Sequence, residues 1–282
     1  MSSILRDVFS SFVSHFFQHS PPKTYEFHCD EVASRFEMRM KRSNHNSICN
    51  NHPERFEPLL IKSKSGNNIA CLMIRPPIEQ PRYTILFNHG STVDLGNLCN
   101  FLHTLGTRLQ CNIFVYDYSG FGQSKGTPTE KAVYADADAA MDCLMNRFNI
   151  SQEKIILYGQ SMGTAPALML AGKYVNVRGI ILHSPFLSFA KVFMGKFHRR
   201  TKLRFYDFYR NVEMIGNITS TMPILIMHGT KDRIVPIEHA KQLHLKAGNS
   251  IRPLWVEGGG HDDLYTFDVY TKRLKRFVEE EL

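Results

Sequence analysis

The stretch Tyr-Gly-Gln-Ser-Met-Gly-Thr at residues 158–164 (YGQSMGT) decides the fold of this chain. It follows a short apolar run and precedes an alanine-rich segment with the composition of a helix. Gly159, Ser161 and Gly163 form the pattern G-x-S-x-G between a predicted strand and a predicted helix, which is the setting of a nucleophile elbow. Side chains at either glycine would collide with the neighbouring strand or helix in so tight a turn. The alternative interpretation is a serine that only begins a helix.

Short apolar runs lie on both sides of this stretch, as is typical of strands buried on both faces of a parallel sheet. They occupy residues 84–90, 112–118, 154–160, 179–185, 223–229 and 253–259. Helical patterns separate most of these runs, at residues 97–109, 130–148, 162–173, 237–247 and 267–280. Two further runs, 57–63 and 68–75, flank Gly66 and predict an opening hairpin. The alternation predicts an α/β fold whose mostly parallel central sheet carries helices on both faces.

Two later strand ends supply the groups that a serine nucleophile needs. A serine hydroxyl is a weak nucleophile unless a base accepts its proton and a third group orients that base. Asp232 and His261 follow the last two predicted strands, and the chain order Ser, Asp, His is that of α/β hydrolases. We predict that His261 takes the proton from Ser161 and that Asp232 orients His261. Taken singly, each could be an ordinary loop residue, and the neighbouring Asp262 and Asp263 are predicted to be loop caps.

The loop after the first of these apolar runs is a candidate for the oxyanion hole. We predict one donor at the backbone N–H of Met162, the residue after the nucleophile, and the second at the N–H of Ser91. His89 is predicted to shape this loop, with a catalytic role as the less favoured alternative, and Asp94 is predicted to cap the next helix. Residues 118–122 are predicted to form a pocket wall. This chemistry needs no metal ion and no cofactor.

The positive charge of the chain is concentrated in one segment. The net charge is +8, whereas 43% of the residues are hydrophobic, as in a globular protein with a sizeable core. Residues 191–210 contain one acidic residue and seven basic ones: Lys191, Lys196, Arg199, Arg200, Lys202, Arg204 and Arg210. They lie in an unusually long connection between two predicted strands, residues 186–222, which we call the insertion and predict to be a lid. The cluster favours an anionic partner, with a merely solvated face as the alternative, and no nucleic-acid motif accompanies it.

Cysteine usage and the N-terminus bear on the compartment. The six cysteines show no C-x-x-C spacing, so we predict reduced thiols in a cytosolic protein. No run has the 18 or so apolar residues of a membrane span, and no secretory signal is evident. Residues 1–22 form an amphipathic pattern with paired apolar residues and are predicted to be a helix that lies in a membrane interface or packs on the enzyme body. Residues 23–56 are predicted to be an irregular lead-in to an enzyme domain at 57–282.

Six blocks of the sequence resemble one known family. They are HGSTVDLGNL at 89–98, YDYSGFGQSKGTPTE at 116–130, YGQSMGT at 158–164, HSPF at 183–186, MHGTKDRIVP at 227–236 and PLWVEGGGHDDLY at 253–265. Together they resemble the seventeen-type family of α/β-hydrolase-domain proteins over about residues 57–282. The resemblance implies an α/β-hydrolase fold with the triad at Ser161, Asp232 and His261. Similar family members begin with a palmitoylated cysteine cluster, whereas the first 28 residues here contain no cysteine.

The resemblance implies a membrane-associated serine hydrolase that removes palmitate from protein cysteines. The expected substrates are S-palmitoylated proteins, and the expected location is the cytoplasmic face of the plasma or endosomal membrane, with an anionic membrane surface as partner. The alternative is a soluble cytosolic protein, if the N-terminal segment is not an anchor. Apolar residues of the insertion could line an acyl tunnel or belong to the core: Phe186, Leu187, Phe189, Val192, Phe193 and Met194. The same triad also serves lipases, carboxylesterases and peptidases, and the fold serves non-catalytic binding proteins, so these alternatives remain open.

Overall fold

The computed structural model describes residues 20–30, 35–41, 48–194 and 207–282. Within these residues the chain forms ten strands. They are β1 Tyr25–Asp30, β2 Arg35–Met40, β3 Phe56–Lys62, β4 Asn68–Ile74, β5 Thr84–Asn88, β6 Asn112–Tyr116, β7 Ile155–Gln160, β8 Gly179–His183, β9 Ile224–Gly229 and β10 Leu254–Val256. Strands β1 and β2 form a separate antiparallel hairpin, and the other eight form one sheet in the order β10-β9-β8-β7-β5-β6-β4-β3.

The large sheet is mostly parallel. Strands β3 and β4 form the predicted antiparallel hairpin, and β4 pairs antiparallel with β6. Every other pair in the sheet is parallel, from β6 through β5, β7, β8 and β9 to β10. All the carboxyl ends of these six strands therefore point to one edge, where ligands bind in open α/β sheets.

Helices cover both faces of the sheet. They are α1 Ile48–Asn51, α2 Leu95–Leu109, α3 Glu130–Asn146, α4 Thr164–Lys173, α5 Phe189–Met194, α6 Asn211–Met214, α7 Ile237–Lys246 and α8 Asp268–Arg276. Side chains alternate across each strand, so β7 contributes Leu157 to the apolar core on one face and Ile156 and Tyr158 to the core on the other. The predicted α/β fold with a mostly parallel sheet and helices on both faces is confirmed.

The prediction of an irregular lead-in before the domain was wrong for most of its length. The hairpin of β1 and β2 lies within residues 23–55, and α1 and a 3₁₀ turn, Pro53–Arg55, follow it. In β1 the apolar residues Tyr25, Phe27 and Cys29 alternate with polar ones, which is the pattern of a half-buried strand. Tyr25 is fully buried, so this hairpin is packed against the enzyme body.

The prediction that all six cysteines are reduced was also wrong for one pair. Cys49 in α1 and Cys99 in α2 form a disulfide, and both are buried. The folded chain brings them into contact because α1 packs on α2, although 50 residues separate them in sequence. The other four cysteines, Cys29, Cys71, Cys111 and Cys143, are free thiols.

The predicted lid is described only in part. Between β8 and β9 the structure contains the short helices α5 and α6, whereas the basic residues at 196–204 lie outside the described residues. Phe186, Leu187 and Phe189 are buried in the main core, which is the structural alternative to an acyl tunnel. The amphipathic N-terminal segment, residues 1–19, also lies outside the described part of the chain. Within that part, none of the helices combines the length and apolar character needed to span a bilayer.

Candidate active site

Ser161 lies on a tight turn between β7 and α4. Its backbone has φ of 50°, in the left-handed region that a residue with a side chain rarely adopts. The turn is possible because its flanking residues are glycines. A Cβ on Gly159 would lie 2.6 Å from Cα of Thr164, and one on Gly163 would overlap the carbonyl oxygen of Asn88 at the end of β5. The elbow therefore fits tightly between one strand and one helix, and it raises the Ser161 side chain at the carboxyl edge of the sheet.

His261 joins Ser161 to Asp232. The Nε2 atom of His261 lies 2.8 Å from Oγ of Ser161, and its Nδ1 atom lies 2.7 Å from Oδ2 of Asp232. The three residues come from the ends of β7, β9 and β10, which are far apart in sequence. The side chain of Asp232 is fully buried and that of His261 is 8% exposed. The structure thus brings the three predicted residues into one hydrogen-bonded chain, in which the side chains of Asp232 and His261 are nearly closed to solvent and Ser161 is partly exposed.

Asp232 is held as a carboxylate by several donors. Its Oδ1 atom accepts from the backbone N–H groups of Ile234 and Val235, at 2.9 and 2.8 Å. Its Oδ2 atom lies 3.1 Å from Nε2 of His228 as well as close to His261. Burial acts to raise the pKa of Asp232, but the hydrogen bonds from His228 and His261 outweigh it and hold the pKa well below the usual range. The acid is therefore ionised whenever His261 needs an acceptor for its Nδ1 proton.

The loop after β5 lies directly beside Ser161, the predicted nucleophile. A Cβ on Gly90 would be 3.7 Å from Cβ of Ser161, so the next peptide, which carries the Ser91 N–H, borders the reacting position. Among the residues that the structure describes, this N–H donates to no backbone carbonyl. Met162 follows Ser161 in the 3₁₀ turn that leads into α4, where the positive end of the helix dipole favours negative charge.

Buried groups behind the site were not predicted as functional from the sequence. His228 contacts both Asp232 and the carbonyl oxygen of Val235, the latter at 2.8 Å. His183 lies at the end of β8 and hydrogen-bonds the hydroxyl of Tyr158 at 2.9 Å. Burial, followed by the nearby His261 and His228, lowers the pKa of His183 to about 3. Each of these histidines follows or ends a predicted strand, which was the available signal in the sequence.

Other residues of the predicted site serve the scaffold. Asp94 caps α2 as predicted, since its carboxylate accepts from the N–H of Asn97. Asp263 accepts from the N–H of Gly260 at 2.7 Å, as expected of a loop cap. The prediction of a pocket wall at residues 118–122 was wrong for Tyr118 and Phe121, which are buried and pack their rings against His89. They support the loop after β5 from behind.

Known proteins resemble this chain in sequence and in fold. The family model described as "Serine aminopeptidase, S33" matches residues 79–214. Human "Alpha/beta hydrolase domain-containing protein 17B" is 40% identical over 262 residues, which cover 93% of this chain and 88% of that protein. The mouse protein 17C is 42% identical over 226 residues, covering 80% of this chain and 68% of that protein.

Solved structures extend the likeness to the fold. An esterase from Pyrococcus furiosus matches 93% of this chain and 96% of its own length with a TM-score of 0.66 at 14% identity. An α/β serine hydrolase homologue from Coxiella burnetii matches 78% and 96% with a TM-score of 0.59 at 18% identity. With the fold shared and 40% of the sequence identical to a relative over nearly its whole length, this chain is an α/β hydrolase and belongs to the family of alpha/beta hydrolase domain-containing proteins 17.

Proposed function

We propose that this hydrolase acts as a serine hydrolase through an acyl-enzyme on Ser161. The observation that carries the proposal is the position of His261, which lies within hydrogen-bond distance of both Ser161 and Asp232. A nucleophile, a base in contact with it and an acid that orients the base are the parts that such catalysis requires. The left-handed backbone of Ser161 adds support, because backbone strain of this kind is concentrated at functional positions.

The reaction follows from this geometry. As Oγ of Ser161 bonds to the acyl carbon, its proton passes to Nε2 of His261, and the N–H groups of Ser91 and Met162 stabilise the oxyanion. The tetrahedral species then expels the leaving group, which receives the proton from His261. A water molecule next gives its proton to His261 and attacks the acyl-enzyme. Collapse of the second tetrahedral species releases the acid and returns the proton to Ser161.

The substrate class that we propose is the S-palmitoyl thioester of membrane-associated proteins at the cytoplasmic face of a membrane. The support is the resemblance described above, which covers the triad and its surrounding blocks. An oxygen-ester substrate is the competing proposal, and the chemistry of the triad serves both. A thiolate is a good leaving group, so acylation by a thioester depends less on proton donation by His261 than acylation by an ester or an amide does.

Two measurements test these proposals in turn. A fluorophosphonate probe should label the wild type and leave Ser161→Ala unlabelled, and equal labelling of both would contradict the acyl-enzyme proposal. Turnover of a palmitoyl thioester should then exceed turnover of an oxygen ester of the same chain length. If the oxygen ester is hydrolysed faster, the depalmitoylase proposal fails while the serine-hydrolase proposal stands.

Membrane association is a separate proposal that rests on residues 1–20 and on the basic insertion. Basic residues near a surface attract anionic lipids, and apolar residues of an amphipathic segment enter the interface. Flotation with anionic vesicles should therefore weaken on removal of residues 1–20 and on raising the salt concentration. If binding survives both changes, neither segment holds the protein on the membrane.

A further inference from the structure

His89 contacts the peptide that carries one of the proposed oxyanion donors. Its Nδ1 atom lies 2.7 Å from the carbonyl oxygen of Gly90, and both residues are buried. A carbonyl oxygen only accepts hydrogen bonds, so Nδ1 must carry the proton and donate it. The Gly90 carbonyl and the Ser91 N–H belong to the same peptide unit, which is planar and trans. Because the two groups point in opposite directions within one rigid plane, the hydrogen bond that fixes the first also fixes the direction of the second.

The imidazole ring of His89 is itself held on several sides. The ring of Tyr118 lies 4.4 Å away and that of Phe121 lies 5.8 Å away, measured between ring centroids. The hydroxyl of Tyr118 also donates to the backbone carbonyl of His89 at 2.8 Å. The remaining ring nitrogen, Nε2, lies 3.5 Å from Oδ1 of Asp117, which is a close polar contact but longer than a normal hydrogen bond.

Asp117 in turn connects this ring to the N-terminal hairpin. Its Oδ1 atom accepts from the N–H of Leu95 at 3.1 Å, in the first turn of α2. Its Oδ2 atom accepts from the hydroxyl of Tyr25 in β1 at 2.5 Å. The side chains of His89 and Asp117 are fully buried, and Tyr25 is fully buried as well. A continuous buried path therefore leads from β1 through Asp117 and His89 to the Gly90–Ser91 peptide.

We propose that His89 is a positioning residue that sets the direction of the Ser91 N–H, and that the N-terminal hairpin holds His89 in place through Tyr25 and Asp117. This inference rests on the proposed acyl-enzyme mechanism, which by itself requires no role for His89 or the hairpin. It assigns a function in catalysis to a hairpin that lies outside the main sheet.

The energetic consequence follows from how oxyanion donors act. A preorganised donor stabilises the transition state more than the ground state, and removal of one such donor lowers kcat by about 10²- to 10³-fold. Hydrogen bonds prefer an angle above about 150° at the hydrogen and weaken steeply below about 120°, so a rotated peptide loses most of the effect of its N–H. The loss should appear in kcat with little change in KM, because the substrate carbonyl demands less of the donor than the oxyanion does.

Two amide substitutions at His89 separate this role from simple packing. In His89→Asn the side-chain nitrogen occupies the place of Nδ1 and can still donate to the Gly90 carbonyl. In His89→Gln the nitrogen reaches the place of Nε2, near Asp117, and cannot. Both variants bury a neutral amide and lose the aromatic ring, so both should lower the free energy of unfolding by similar amounts.

The measurement is the hydrolysis of a short p-nitrophenyl ester, with stability measured by urea denaturation. We expect His89→Gln to lower kcat by about 10²-fold with KM nearly unchanged, and His89→Asn to retain at least about ten times the kcat of His89→Gln. Equal kcat values for the two variants, whether both reduced or both normal, would overturn the proposal. Ser161→Ala is assayed alongside: if it retains wild-type turnover, the acyl-enzyme proposal is what has failed.

A third variant tests the contribution of the hairpin and does not alter His89. Tyr25→Phe removes only the hydroxyl that donates to Asp117. We expect it to lower kcat by about several-fold while KM stays the same, because Asp117 loses one of the contacts that hold it. An unchanged kcat in a folded Tyr25→Phe protein would overturn the link between the hairpin and the oxyanion loop.

Discussion

The carboxylate of Asp232, the proposed acid of the triad, is held in place by the groups that donate hydrogen bonds to it. Its two oxygen atoms receive two backbone N–H groups and face two histidines. One of these histidines, His261, is positioned to act as base, while the other, His228, bonds the backbone of the same loop. The carboxylate is thereby fixed in direction before any substrate arrives, which is what preorganisation requires.

Replacing Asp232 by asparagine should distinguish its role from those of the nearby acidic residues Asp262 and Asp263. In Asp232→Asn the side chain keeps its shape but loses its charge, so it no longer stabilises the imidazolium that His261 becomes. We expect kcat for ester hydrolysis to fall by about 10⁴-fold, as for the equivalent change in serine proteases. The controls are Asp262→Asn and Asp263→Asn, which should stay within a few-fold of wild type. If a control falls as far as Asp232→Asn, the triad acid has been assigned to the wrong residue.

At the level of single residues, the sequence singled out the three side chains that the structure brings together. It could do so because each follows its own predicted strand, and parallel strands end at one edge. It did not indicate the roles of His183, His228 or Asp117, since a buried polar residue acquires its partner only through folding. Tyr25 reaches Asp117 across 92 positions of sequence, and no local pattern encodes such a contact.

The elbow between β7 and α4 places Ser161 at the carboxyl edge of the sheet. Its geometry requires close approach of the turn to β5, where Gly163 lies against Asn88. Gly172, near the end of α4, has no atom outside its own helix backbone within 4 Å of the position where a Cβ would lie. It can therefore serve as a control for substitutions at Gly163.

Alanine substitutions at these two glycines should have opposite effects. Gly163→Ala forces the new methyl group into the backbone of β5 and should lower the free energy of unfolding by about 1–3 kcal/mol or more. Gly172→Ala, near the end of α4, should raise it by up to about 1 kcal/mol through helix propensity. Thermal and urea unfolding of both variants make the comparison. Equal stability of the two would mean that the tight elbow does not form as described.

The disulfide between α1 and α2 can be tested by counting reactive thiols and by measuring stability. Under non-reducing, denaturing conditions four thiols should react with N-ethylmaleimide, and six after reduction, because only Cys49 and Cys99 are paired. Closing a loop of this size stabilises a protein by about 2–4 kcal/mol. The double variant Cys49→Ser, Cys99→Ser should therefore be less stable than the oxidised wild type and similar to the reduced one. Six reactive thiols before reduction would show that the pair is open, as expected in a reducing compartment.

Among the elements, the strands of the large sheet were predictable because most are short, nearly continuous apolar runs, and the longer helices were predictable from their periodic apolar pattern. The hairpin of β1 and β2 was missed, although Tyr25, Phe27 and Cys29 alternate with polar residues. Six residues of alternation in a polar region are a weak signal, and of the three apolar residues only Tyr25 is fully buried, where its hydroxyl contacts Asp117 in the segment after β6. The disulfide was missed for a related reason: cysteine spacing carries no information on which helices pack together.

The whole molecule should lose stability in mild acid because two buried histidines resist protonation. Burial is the main cause that lowers the pKa of His183 to about 3 and that of His239 to about 4. The unfolded chain protonates these residues near pH 6.5, so their contribution to stability is complete above that pH. It is lost as the pH falls toward the folded pKa values, by up to about 1.4 kcal/mol per pH unit for each histidine.

The variant His239→Asn tests this dependence. The Nδ1 atom of His239 accepts from the N–H of Leu187, and the amide oxygen of asparagine can take its place without titrating. Urea denaturation between about pH 7 and pH 4 should show a shallower fall in the free energy of unfolding for the variant than for the wild type. Parallel curves would show that His239 takes no part in the acid response. Asp232 affects the wild type and the variant alike, and most of its own loss of stability lies below this range, between the ordinary pKa of 3.8 and the lowered folded pKa.

For the architecture as a whole, the sequence predicted the fold class and the order in which strands and helices follow one another along the chain. The alternation of strands and helices indicated a parallel sheet with two covered faces, and the structure confirms it. The order of strands, in which β5 lies between β6 and β7, is not visible in the sequence, because all these strands are similarly apolar. Only packing in three dimensions decides which of them become neighbours.

The hydrogen bonds between Thr24 and Asp94, the N-cap of α2, fix the start of the described chain near the proposed active site. Asp94 accepts from both the N–H and the hydroxyl of Thr24, at 2.8 and 2.5 Å, and it lies three residues beyond Ser91. Residues 20–24 can span at most about 18 Å when extended. If residues 1–19 are held at a surface as proposed, this extended length limits how far Thr24, and with it the loop that carries Ser91, can lie from that surface.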